Sequence, residues 1–89
     1  MDDKPELYKI YDGTVQNVRD FGAFVSLDGV AGRTEGMVHV SNITGTRIQS
    51  ASDAVRRNER VKVKVMSVAG NKYGLSMKDV DQRTGADLT

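Results

Sequence analysis

The sequence predicts an all-β fold, a single small barrel of five strands. Three observations lead there. The stretch "RVKVKVMSV" (residues 60–68) alternates apolar and polar side chains with the period of two that a half-buried strand requires. Four more short extended stretches precede and follow it, separated by turns rich in Gly and Asn. The chain has 89 residues and no Cys, which allows one modest core and no disulfide to supplement it.

The elements are expected in this order. Residues 1–7 are polar and acidic, contain the one proline, and read as a disordered lead-in. The first strand is "YKIYDGTVQNV" (8–18), anchored by Ile10, Val15 and Val18, with Gly13 as its expected bend or bulge. The second is "GAFVSLD" (22–28), and the Gly-rich loop "DGVAGRTEG" leads from it to the third, "MVHVS" (37–41). The connector 42–59 is too long for a hairpin. Within it, "SASDAVRRN" offers Ser50 or Ser52 as a helix N-cap, with Asp53 in the first turn and Arg56 and Arg57 near the end. After the strand at 60–68, "AGNK" turns tightly into "YGLSMK" (73–78). Five strands with a short helix between the third and fourth is the plan of an OB-fold barrel. The polar tail 79–89 reads as a linker towards a further region.

Composition excludes several classes of function. No apolar run approaches the roughly 18 residues of a membrane span, and the polar N-terminus is unlike a secretory signal, so no membrane partner is expected. The absence of Cys leans towards an intracellular setting. One His, no Cys and no acidic pair with a plausible partner leave neither a catalytic triad nor a metal site. "GVAGRTEG" lacks the lysine and hydroxyl ending of a phosphate-binding loop. This chain is therefore expected to be non-catalytic, to need no cofactor of its own, and to act as a monomer. A net charge of +1 rules out bulk electrostatics as the main source of nucleic-acid affinity, leaving a local patch and stacking.

Strand parity selects the candidate residues. Ala23, Val25 and Leu27 form one apolar set and take the core, which turns Phe24 outward. Val38 and Val40 do the same in the next strand and leave Met37, His39 and Ser41 outside, so Phe24 and His39 share a face if the strands pair. Phe21 follows Ala23 inward by simple parity, and a bulge at Gly22 would turn it out. An exposed Phe beside an exposed His is a platform on which nucleic-acid bases stack, and Arg19, Arg33, Lys64 and Lys72 are the cations placed to meet phosphates. The alternative for Phe24 is a cap on a secondary apolar cluster. For Lys62 and Lys64 it is a solvated strand edge. Met37, Met66 and Met77 read as packing residues.

The blocks "YDGTVQNVRDFGAFVSLDG", "EGMVHVSNI", "RVKVKVMSV" and "LSMK", in this order, resemble the S1 RNA-binding domain from about Tyr8 to Lys78. The resemblance implies a five-stranded OB barrel that binds single-stranded RNA, with Phe21 and Phe24 stacking and His39 beside them. The family often has an aspartate and an arginine around the last hairpin. Here "SVAGNKYG" lacks the acid, and Lys72 stands near the arginine position. The loop "DGVAGRTEG" and the tail "SMKDVDQRTGADL" are similar to those of spliceosomal DEAH-box RNA helicases. That further likeness implies an accessory domain in pre-mRNA splicing, in the nucleus, with ATP and Mg bound by a motor elsewhere. Spliceosomal proteins would be possible partners. Docking onto protein, or the same domain in a translation or RNA-decay protein, are the alternatives.

Overall fold

A computed structural model describes residues 4–30, 34–44 and 48–88. Five strands form a closed barrel: β1 (Ile10–Arg19), β2 (Gly22–Leu27), β3 (Glu35–His39), β4 (Arg60–Ala69) and β5 (Lys72–Ser76). They are ordered β1-β2-β3-β5-β4, and β4 closes back onto β1. Every pairing is antiparallel except β3 with β5, which is parallel. A parallel neighbour needs a crossover, and the long connector between β3 and β4 makes it possible. This is the expected OB-fold barrel.

Two short 3₁₀ turns follow β3: Val40–Asn42 ends the third strand at His39, short of the expected Ser41, and the expected helix in the connector is reduced to Ala51–Asp53. Ser50 is the N-cap of the second, and with Asp53 it completes a capping box. The turn stops at Asp53, before Arg56 and Arg57, because the next residues join the sheet: Val15 N donates to Glu59 O and Asn58 N to Val15 O.

Register explains the burial. Val18, Ala23, Val38, Leu75 and Val65 are linked partner to partner across the five strands and point into the barrel. The next rung, Asn17–Phe24–Met37–Gly74–Ser67, points out of it. Bulges occur where neither Gly13 nor Gly22 stands: one lies between Val15 and Asn17, the other between Val65 and Ser67. Each adds a residue to one strand and preserves alternation on both sides of it. The second turns Met66 to the surface, against the expectation that it packs. Met77 is buried as expected.

Both chain ends depart from their expected character. In the lead-in, Pro5 is buried and Glu6 N donates to the Tyr11 hydroxyl. Residues 79–88, expected to be a linker, fold back on β4. Val80 is buried and bridges to Asp87, and the Gln82 carboxamide makes hydrogen bonds of 2.8 Å with both Lys62 N and Lys62 O. The physical reason is an open seam. β5 begins to pair with β4 only at Lys64, so the far edge of β4 before that point has unpaired backbone groups to satisfy.

Candidate nucleic-acid interface

The outer face of β2, β3 and β5 gathers four of the residues singled out in the sequence. Phe24 is half-buried on the outward rung, opposite Met37. His39 is exposed and stands opposite Gly22. Phe21 is 52% exposed, and its ring meets that of Phe24 edge to face with centroids 6.3 Å apart. This offset geometry is favourable for an aromatic pair and leaves ring surface open to a base. Lys72 lies beyond β3, at the start of β5.

Phe21 reaches this face by a turn, with no bulge at Gly22. Asp20 and Phe21 are the two turn residues between β1 and β2, so strand parity does not apply to Phe21. Gly22 continues in register, paired with Arg19 and His39. Its role is close approach, since a Cβ there would lie 2.5 Å from Val38 O.

His39 is held by its own chain. Ser41 N donates to its Nδ1 at 3.2 Å, and the Ser41 hydroxyl lies 2.8 Å from the same atom. A backbone N–H can only donate, so Nδ1 is the acceptor and Nε2 carries the proton. The ring therefore presents a donor to any ligand lying across the Phe pair.

A groove of about 500 Å³ runs beside the platform, lined by Phe24, Met37, Gly74, Ser67, Lys72 and Glu35 among others. Its floor is open because Gly74 has no side chain. A Cβ there would lie 2.4 Å from Ser67 Oγ. Met37 and Gly74, not among the candidates from sequence, thus define the middle of the face. Their adjacency depends on the parallel pairing of β3 with β5, which joins segments 37 positions apart and leaves no local signal.

Cations are divided between the two sides of the barrel. On β4, Arg60 pairs with Asp28, Lys62 with Asp12 and Lys64 with Asp87. The hydrogen bond and then the charge of Asp28 raise the Arg60 pKa, so that guanidinium stays charged and committed. Lys64 must be removed from the phosphate-binding candidates. It is only 7% exposed, its Nζ lies 2.9 and 3.1 Å from the Asp87 carboxylate oxygens, and the Tyr8 ring lies against it. The tail that covers β4 buries it. Arg33 lies outside the described residues. On the aromatic side, Arg19 and Lys72 have no ion-pair partner among the described residues. Among the described residues they are the cations left uncommitted on that side. Among the described residues there is no group of three potential metal ligands.

The S1 RNA-binding-domain model matches residues 4–78. The chain belongs to the S1 RNA-binding family. This is a family of RNA-binding rather than catalytic domains, and it needs no cofactor. The chain is 48% identical over 87 residues to the pre-mRNA-splicing factor ATP-dependent RNA helicase prp22 of Schizosaccharomyces pombe, covering 94% of this chain and 7% of that protein. It is also 48% identical over 87 residues to the polyribonucleotide nucleotidyltransferase of Zymomonas mobilis, covering 97% of this chain and 11% of that one. The S1 chain thus spans about a tenth or less of these relatives. Among solved structures, the α subunit of aIF2 from Pyrococcus abyssi superposes with a TM-score of 0.83 at 26% identity, covering 96% of this chain and 33% of that one. GSP13 from Bacillus subtilis gives a TM-score of 0.74 at 32% identity, covering 88% and 59%.

Proposed function

We propose that this S1 domain binds single-stranded RNA by stacking bases on Phe21 and Phe24, with His39 Nε2, Arg19 and Lys72 meeting the polar edges and the backbone. The observation that carries this reading is the edge-to-face pair of exposed Phe21 and half-buried Phe24, on the face that also carries Arg19 and Lys72. Each stacked base contributes about 1–3 kcal/mol whatever its identity. Two stacks, less the cost of association, leave little beyond the roughly −4 kcal/mol of a millimolar Kd, so the isolated domain binds at high micromolar concentration or weaker. Tethering in a longer protein that already holds the RNA makes such an affinity useful through effective concentration.

NMR titration of the wild-type domain with a short oligoribonucleotide is expected to shift Phe21, Phe24, His39 and Lys72, and added salt to weaken the effect. Phe24→Ala should raise Kd by about 5- to 100-fold, the equivalent of one lost stack, while leaving the folded spectrum intact. Unchanged spectra at about 1 mM RNA would sink the reading, since that corresponds to affinity weaker than the stacks provide.

The parent reading we favour is a nuclear pre-mRNA-splicing RNA helicase, with ATP and Mg in its motor and RNA or spliceosomal proteins as its partners. The tail "DVDQRTGADL" and the likeness to the S. pombe helicase support it. Equal identity to a polyribonucleotide nucleotidyltransferase supports RNA decay as strongly. The coding sequence beyond Thr89 separates these, because helicase motifs there would exclude a phosphorolytic enzyme. Exposed Arg56 and Arg57, without ion-pair partners among the described residues, favour protein docking as a further role. In that case Arg56→Glu or Arg57→Glu abolishes binding to the assembly, and Phe24→Ala leaves it intact.

A further inference from the structure

Glu35 stands where an RNA-binding groove should not have a carboxylate. It lines the groove beside Phe24 together with Lys72. β3 and β5 run parallel with Met37 opposite Gly74, and counting back two positions on each strand reaches Glu35 and Lys72, at the ends of the strands that line this groove. Both are exposed, and both occupy outward positions of their strands. No ion pair joins them, and neither has one elsewhere among the described residues. An acid and a base thus line one opening, each uncommitted.

A carboxylate there repels phosphate, so what approaches it must bring N–H donors. An ionised carboxylate offers two acceptor oxygens and no donor, and an ammonium offers donors only. The four bases differ in how well they match that pair. Guanine presents one acceptor, O6, next to two adjacent donors, N1–H and N2–H. Uracil flanks a single N–H with two carbonyl oxygens, so a second hydrogen bond to a carboxylate is replaced by repulsion. Adenine and cytosine each present a single amino group beside a ring acceptor. Only guanine satisfies both carboxylate oxygens and the ammonium together.

We propose that Glu35 and Lys72 form a guanine-preferring subsite: the Glu35 carboxylate accepts from N1–H and N2–H, and Lys72 Nζ donates to O6. The base lies over the open floor at Gly74, against Phe24 and Met37. This rests on the RNA-binding reading above and adds sequence preference to a platform that otherwise stacks any base. A good bidentate contact is worth about tenfold or more in discrimination.

The test compares four tetraribonucleotides, UUGU, UUUU, UUAU and UUCU, by NMR titration of the folded wild-type domain and of Glu35→Gln. The wild type should bind UUGU about tenfold more tightly than UUUU, with shifts at Glu35 and Lys72. In Glu35→Gln that ratio should fall to about twofold or less, as one of two acceptors is lost, with UUUU affinity unchanged or slightly improved by removal of the charge. If UUGU and UUUU bind the wild type equally, with shifts at Phe24, the subsite is refuted while RNA binding stands. If none of the four binds, RNA binding fails as well. A guanine preference that persists in Glu35→Gln overturns the role given to Glu35.

Discussion

A chain ending at Lys78 is expected to melt about 20 °C below the chain that retains residues 79–88, a loss of about 4 kcal/mol in a domain of this size. Two contributions of the missing segment make up most of that loss. Val80 is 3% exposed, and burying a valine side chain is worth about 1.5–3 kcal/mol. Gln82 supplies both halves of a β-bridge to Lys62, and net hydrogen bonds are worth about 1 kcal/mol each. A typical 89-residue domain has only about 4–13 kcal/mol in total, so this is a large fraction of what holds the barrel folded. Asp87→Ala is the finer version. It leaves the tail in place over Lys64, whose side chain is 9% exposed, and takes the Asp87 carboxylate away from the ammonium. Asp87 is itself 41% exposed, which puts the cost below that of a fully buried pair, at about 1–3 kcal/mol. Lys64→Met added to Asp87→Ala should recover most of it, because no buried charge then remains. Circular-dichroism melts of the four chains decide the matter. Equal melting temperatures for the truncated and longer chains would show that the tail merely rests on the barrel.

The failure at Lys64 shows what the sequence carries and what it does not. Alternation in "RVKVKV" places Val61, Val63 and Val65 inside correctly, because the inner face of a barrel strand is set by that strand's own pattern. Whether the outer face meets water depends on what else folds over it. The cover on Lys64 comes from Asp87, 23 residues further along the chain. The same division holds on the candidate site. Parity within β2 and β3 turns Phe24 and His39 outward, as the structure has them. The groove also needs β5 beside β3, and nothing local in either segment announces a parallel partner. The bulges at Gln16 and Met66 were hidden for a related reason. Neither site carries the glycine that makes a bulge visible in sequence, and both serve the closure of the barrel. For Phe21, simple parity points inward, and the bulge at Gly22 that would turn it out does not exist. A two-residue turn gives the same outward direction without one.

Gly22→Ala is expected to lower both stability and RNA affinity without removing any side chain of the proposed RNA interface. The added methyl would sit 2.5 Å from Val38 O and 3.2 Å from His39 Cα. These are backbone atoms, so no rotamer change relieves the clash and β2 must move away from β3. Overpacking of this kind costs about 1–3 kcal/mol, against which alanine regains about 0.5–1 kcal/mol of backbone entropy in a strand. The net, about 1 kcal/mol or a little more, is a fall in melting temperature of about 6 °C for a domain this small. The displacement falls on the strand pair that sets Phe24 beside His39, and on the turn that presents Phe21. Loss of that geometry should weaken RNA binding about as much as Phe24→Ala does, by 5- to 100-fold or so, on the same stacking energies. The two variants are then told apart by their melts. Phe24→Ala loses affinity with little loss of stability, since the ring is only partly buried. Gly22→Ala loses both together. If Gly22→Ala melts with the wild type and binds RNA equally well, β2 and β3 tolerate separation at this point, and the glycine is not what brings the two rings and the imidazole to one face.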